Sequence, residues 1–440
     1  YSNIANITVS ITPVNDAPVA YQKTFNMTVG DSYSGNVSGT DIDGDSLTYA
    51  LVSGPALGSL TFNADGTFIY AANSGQSGID NFLFRANDGL ADSNSANVTV
   101  NVESLFCGGI GSEADPYMIC NADQLNLMRD NISAHYMLNN DIDLDVSPYN
   151  TGSGWEPVGN DTDRFNGTLD GNGYEIANLY INLPNGEFVG FFGRIDSGSL
   201  IKNISLTDVN VSAKTWVGAI AGHIDNTNIT DVTVSGRIQG VNQHAGGIAG
   251  SMSNGLISNS HTTDIMVNTF MDVGGFLGSV SGSAQIFDSS AKGTVIGNSS
   301  VAGFIGSFGS YIENCSFEGE VIAYGDDYYR RAGGLIGYSH FAEIVNSYAI
   351  ANVTGSDSVG GLIGENQNTI IINSSAEGHI NGTFDYVGGF IGQSINTGSM
   401  ISNSRFSGTV NGRNYVGGFV GGSLYGAQII NSYAIADVEG

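Results

Sequence analysis

V-G-G-F-L-G, residues 273–278, returns along the second half of this 440-residue chain at nearly constant spacing. Variants begin at Val189, Val217, Ala245, Val273, Val301, Ala332, Val359, Val387 and Val416, in steps of 28, 28, 28, 28, 31, 27, 28 and 29 residues. A period in that range marks stacked units, each too small to bury its own apolar face. Aligned on the motif, each period holds three short apolar pieces, such as Gly361-Leu362-Ile363, Ile370-Ile371-Ile372 and His379-Ile380. None has room for the roughly 10 residues of an amphipathic helix, and their β-branched and aromatic content suits strands. The predicted fold is all-β: a parallel β-solenoid of about ten coils of ~28 residues over 165–440.

A second column keeps the same beat: Asn203, Asp231, Asn259, Asp288, Asn314, Asn346, Asn373, Asn403 and Asn431, usually followed by Ser. Stacked amides at a corner bond one another and their own turn, so the column predicts a structural ladder. The motif glycines are expected to serve positive φ at a sharp corner and close approach between coils. A phosphate-cradling loop is excluded, because no helix follows any copy.

These residues resemble the GLUG-motif repeats of large bacterial and archaeal surface proteins, over roughly residues 105–440. Val189 to Gly193 is one residue short of the motif, and Ala219 replaces the second glycine of the copy at Val217. The resemblance implies a surface-exposed β-solenoid without implying one activity.

Composition narrows the partners. With 42 acidic against 13 basic side chains the formal charge is −29. That charge repels nucleic acid and anionic membrane surfaces and attracts divalent cations, calcium first. Of three cysteines, Cys107 and Cys120 could close one small loop, and none is spaced for zinc. Fifteen N-x-S/T sequons include Asn6, Asn131, Asn166, Asn210 and Asn352 as glycosylation candidates. The chain has no stretch of 18 apolar residues and no lipidation motif, so no direct membrane insertion is expected.

Residues 1–11 echo residues 92–102 at an offset of 91, which makes 1–14 the last strand of a preceding module plus a linker. Residues 15–103 then form one complete module. Alternating strands such as Thr67-Phe68-Ile69-Tyr70 and Asn81-Phe82-Leu83-Phe84, separated by Gly and Asp turns, predict an antiparallel β-sandwich. Hard oxygen ligands gather in it: Asn15 and Asp16 in the linker, Asp41, Asp43 and Asp45 in a loop, and Asp88 in another. Such carboxylates suit Ca²⁺, which takes 6 to 8 oxygens; the competing reading is that they only make turns. The pattern is similar to the cadherin-like or Ig-like tandem modules of bacterial and archaeal adhesins, which implies a calcium-stiffened hinge.

Residues 104–164 read as an N-terminal cap. Asn121 to Gln124 looks like a capping box, and Leu125, Met128 and Ile132 recur at helical spacing. Asp141, Asp143 and Asp145 are a further metal candidate or a solvated strand edge.

The residues preceding each motif, Phe188, Trp216, His244, Asp272, Ser300, Arg331, Ser358, Tyr386 and Tyr415, read as a mixed outward column without paired carboxylates in neighbouring coils. With no nucleophile elbow and no H-E-x-x-H, enzyme chemistry is not expected. The 31-residue period inserts a charged aromatic loop, Asp326, Asp327, Tyr328, Tyr329, Arg330 and Arg331, which is the candidate partner-binding surface; the competing reading is a solvated bulge. The expected function is a non-catalytic structural or adhesive segment of a large extracellular protein. The alternatives are a self-assembling filament subunit and a carbohydrate-binding or carbohydrate-cleaving β-helix. Expected partners are other copies of itself, further modules of the same polypeptide, surface glycans and proteins of neighbouring or host cells.

Overall fold

The computed structural model describes residues 4, 6–10, 14–73, 76–325, 330–396 and 398–440. They fall into two compact units, residues 1–111 and 112–440. Residues 4 and 6–10, where the sequence predicts a strand, carry none, and Ile4, Ile7 and Val9 stand exposed.

The first unit is an Ig-like sandwich with nine strands among the described residues: β1 Val19–Ala20, β2 Lys23–Thr28, β3 Ser32–Asn36, β4 Gly39–Thr40, β5 Thr48–Ser53, β6 Gly58–Phe62, β7 Thr67–Ala72, β8 Gly78–Asn87 and β9 Ala96–Glu103. One sheet runs β2-β9-β8-β5 and the other β3-β7-β6, with β1 and β4 paired separately. Strict alternation makes the core: Phe82, Phe84 and Ala86 of β8 and Ala96, Val98, Val100 and Val102 of β9 point inward. Phe68 and Tyr70 of β7 meet them, with the Phe68 and Phe82 rings edge-on at 5.2 Å. One ladder departs from the antiparallel expectation, since β2 and β9 run parallel.

Asp80 fixes one loop of this unit. Its buried carboxylate accepts from the Ala56, Leu57 and Asn81 amides and, at 2.7 Å, from the Tyr70 hydroxyl. Burial alone would raise its pKa, yet these four donors together hold it below the ordinary value.

In the second unit Asn121 caps α1, Ala122–Asn126: its Oδ1 accepts from the Gln124 amide at 2.9 Å. Gln124 Oε1 returns to the Cys120 amide at 2.8 Å. The helix is a single turn, continued by a 3-10 turn over Leu127–Asp130, so Leu125 and Met128 are buried but Ile132 lies beyond the helical stretch. Parallel stacking begins inside this cap. Tyr117–Ile119 pairs with His135–Leu138, which pairs with Thr168–Asp170, so the stack starts well before residue 165.

From there the strands climb in register. Val189, Val217, Ala245, Val273, Val301, Ala332, Val359, Val387 and Val416 pair in sequence, one per coil. A coil carries four pieces rather than three. In the one opened by Val359–Gly360 the others are Ile363–Gln367, Ile370–Ile372 and Ser375–Gly382.

The corner ladder is present, with φ near +50° at each of its nine members. Its side chains bond in pairs rather than in one continuous file: Asn314 Nδ2 donates to Asp288 Oδ1 at 2.9 Å and Asn373 Nδ2 to Asn346 Oδ1 at 3.2 Å. The motif glycines correct the expectation. None of those at 274, 275 and 278 or their equivalents has positive φ; that role falls to the residue before the motif, including Phe188, Trp216, His244 and Asp272. The glycines serve close approach alone, because a Cβ on Gly275 would collide with the Gly303 carbonyl oxygen of the next coil.

Candidate metal centre

The sandwich turn Asp41-Ile42-Asp43-Gly44-Asp45 gathers three carboxylates whose oxygens lie within 4.8 Å of one another. The alternating acids come together because the loop folds back on Asp41: its Oδ1 accepts from the amides of Asp43 at 2.8 Å and Asp45 at 3.3 Å. Gly44, at φ +83°, supplies the reversal. The linker joins in through backbone, with the Asp16 amide donating to Asp43 Oδ2 at 2.8 Å.

Asn15 and Asp88 turn to each other instead, Asn15 Nδ2 donating to Asp88 Oδ2 at 2.9 Å. Asp88 Oδ1 is taken by the amides of Leu90 and Ala91, and these bonds, that to Ala91 foremost, hold its carboxyl below the usual range. Of the six residues predicted as ligands, three converge as donors and the other three brace the loop and the linker.

The loop fits a hard cation. Among the described residues no Lys or Arg pairs with Asp41, Asp43 or Asp45, and Asp41 Oδ2 is a buried oxygen with no hydrogen-bond partner. An orphaned carboxylate oxygen inside a cluster of three negative charges is costly, and an oxygen-seeking divalent cation would satisfy it. The other acidic triplet does not converge this way. Asp143 accepts from Asn178 Nδ2 and the Asp145 amide, Asp141 from the Glu175 amide, and Asp145 from Asn150 Nδ2.

On the solenoid, the column before the motif is a stacked ladder rather than a set of free outward side chains. Arg194 lies 4.7 Å over Phe188; Phe188 stacks on Trp216 at 4.5 Å and Trp216 on His244 at 5.7 Å. His244 Nδ1 lies 3.2 Å from Asp272 Oδ2 without a hydrogen bond between them, and Ser300 follows Asp272 in the column one coil further on. Burial pushes the Asp272 carboxyl up to about 6 and the His244 imidazole down to about 4. These are the residue types of a hydrolase triad in an unproductive order. Along the column the carboxylate comes between imidazole and hydroxyl, not the order in which an imidazole bonds a serine hydroxyl as its base. Consecutive polar members of one column were the sequence signal for this contact.

Of the predicted partner loop, residues 326–329 lie outside the described residues. Arg331 is committed inward: its Nε is 2.6 Å from Glu365 Oε2 and its guanidinium 4.2 Å over the Tyr338 ring. Arg330 lies 5.8 Å over Phe270. Asn6, Asn131, Asn166, Asn210 and Asn352 are all exposed. Cys107 and Cys120 are disulfide-bonded, and Cys315 is free and buried. A cleft of about 660 Å³ beside the cap is bordered by Trp155, Glu156, Asp161, Glu187 and Phe188. Its carboxylates are each answered by a cation, Arg129 at 3.0 Å from Glu156, Lys214 at 3.3 Å from Glu187, and Arg194 beside Asp161.

Residues 15–101 match the bacterial Ig domain, and residues 355–381, 385–411 and 412–439 match the GLUG motif. The chain carries a bacterial Ig domain followed by GLUG repeats. Between them, residues 119–236 match the N-terminal region of the M26 IgA1-specific metallo-endopeptidases. A glycine-rich protein of Evansella cellulosilytica, named as a membrane protein, is 38% identical over 135 residues, 29% of this chain and 16% of its own length. Halomucin of Haloquadratum walsbyi is 32% identical over 218 residues, 45% of this chain and 2% of its own. A solved structure from Bacteroides ovatus, assigned as an immunoglobulin A1 protease, aligns at 21% identity with TM-score 0.45, over 62% of this chain and 78% of its own. This chain thus spans a small fraction of the relatives it matches by sequence.

Proposed function

We propose that this chain is a non-catalytic extracellular scaffold segment, in which the Ig domain binds Ca²⁺ at Asp41, Asp43 and Asp45 and the GLUG solenoid presents an adhesive or spacing surface. The observation that carries the reading is the pairing of a bacterial Ig domain with GLUG repeats in one chain. The carboxylates bordering the cleft support it, since each is paired with a cation of the chain itself. Ca²⁺ would neutralise the acidic loop, and through the Asp16 amide on Asp43 the same loop holds the linker, which is the physical basis of a stiffened stalk. The relatives named for a membrane and as halomucin support a cell-surface location.

Differential scanning calorimetry of the intact chain with Ca²⁺ and with EDTA tests the cation. Ca²⁺ is expected to raise the melting temperature of the Ig transition by several degrees, and Asp43→Ala to abolish most of that rise. Identical curves with and without EDTA would return the loop to a mere turn. Incubation with IgA1 and with a polysaccharide panel tests the non-catalytic claim, since sustained turnover of either would overturn it.

The match over residues 119–236 favours a second reading, in which this scaffold accompanies a peptidase domain in a longer polypeptide. Intact-mass measurement and an IgA1 cleavage assay on the native protein distinguish the two.

A further inference from the structure

One column of the solenoid interior changes character partway along. Met252, Val280 and Phe308 pair in register and fill it with apolar side chains. The next three coils place Ser339, Asn366 and Ser394 at the same position, all at 1% exposure or less.

Ser339 solves its problem directly: its hydroxyl is 2.8 Å from that of Thr369, at the corner of the next coil. The register makes Asn366 and Ser399 the equivalent pair one coil further on, because Ile363 pairs with Ile336 and Ile370 with Met400. There the direct bond is not made. Asn366 Nδ2, Asn366 Oδ1, Ser394 Oγ and Ser399 Oγ are all buried without a hydrogen-bond partner, and the three residues are 0%, 1% and 1% exposed.

Each such group left unsatisfied inside a protein is strongly unfavourable, and native structures meet clusters of this kind with ordered water that makes about three bonds. The chemistry of the cluster selects its ligand. The amide offers N–H donors and one acceptor, the hydroxyls offer both, and none of the three side chains carries charge. With no carboxylate among the three, the cluster offers a metal cation no compensating charge.

We propose that Asn366, Ser394 and Ser399 form a buried water-binding site within the GLUG solenoid, one or more water molecules bridging two successive coils where earlier coils use apolar packing and the coil just before uses the direct Ser339–Thr369 bond. The site makes this stretch a hydrated joint between coils.

A crystal structure of the full chain, at a resolution that shows ordered solvent, tests the site. The expected result is solvent density at hydrogen-bonding distance, roughly 2.7–3.2 Å, from Asn366 and at least one of the two serines. Direct Asn366–Ser399 contact without solvent overturns the proposal. So does density at cation distances of about 2.3–2.6 Å. Thermal melting of Asn366→Leu provides a second, independent reading. Expelling bound water strands the two hydroxyls and lowers the melting temperature by a few degrees, whereas a rise would show that the amide was itself a dry, unfavourable orphan and would sink the proposal.

Discussion

At the scale of single residues, buried polar groups set the chain's response to mutation and to pH. Asp80 collects four donors at the centre of the Ig domain, so Asp80→Ala strands the Tyr70 hydroxyl and two loop amides together. It is expected to cost roughly 3 kcal/mol, measured by urea denaturation of the Ig transition, more than an exposed carboxylate would. His223 gives the pH dependence. Its Nδ1 is 2.8 Å from Ser251 Oγ, and burial, reinforced by the Arg194 charge, lowers its pKa from 6.5 to about 4. Arg164 adds to that lowering, while Asp225 and Asp196 oppose it. Because the folded state resists a proton that the unfolded state accepts, the stabilising contribution is complete above pH 6.5 and is lost as pH falls towards 4. His223→Gln is expected to flatten the fall in melting temperature between those two pH values, and an unchanged slope would assign the acid sensitivity to other groups.

At the scale of one coil, backbone proximity governs which residues are exchangeable. Gly319 has φ +148° and sits where a Cβ would strike the Gly293 carbonyl oxygen of the preceding coil. Gly319→Ala therefore meets both a strained backbone and a collision, and is expected to lower solenoid stability by more than about 2 kcal/mol in thermal unfolding. A serine file runs beside the Asn/Asp corner: the Ser347, Ser374 and Ser404 amides each donate to the serine hydroxyl of the next coil, at 3.3, 3.2 and 3.0 Å. Cys315 occupies one rung, with its Sγ 3.4 Å from the Glu313 carbonyl oxygen, and burial pushes its thiol up to about 12. Replacing it with the file's own residue, Cys315→Ser, is expected to change the melting temperature little. Native Cys315 is expected to resist thiol-labelling reagents until the solenoid unfolds.

At the scale of the whole chain, two separately cored units and a net charge of −29 frame the behaviour in solution. Heat unfolding is expected in two transitions, with EDTA lowering the one that belongs to the Ig domain and leaving the solenoid's in place. Monovalent salt screens the self-repulsion of so acidic a chain, so both transitions are expected to rise between low and physiological ionic strength.

The sequence by itself determined whatever repeats at a fixed offset. Stacked coils place residue i against residue i+28, so the valine column, the Asn/Asp corner and the parallel register were legible from spacing alone. The Ig alternation and the convergence of Asp41, Asp43 and Asp45 were legible too, because they depend on neighbours within a few residues. Tertiary structure decided what depends on where the backbone turns. The positive φ of Phe188, Trp216, His244 and Asp272 left the motif glycines the task of close approach and swung the ladder side chains onto one another. Arg331, expected to face a partner, was drawn onto Tyr338 of its own coil and Glu365 of the next, which share a different column. Ser339 and Thr369 likewise meet across a corner. A period fixes contacts along a column; contacts between columns are set by the three-dimensional path of the coil.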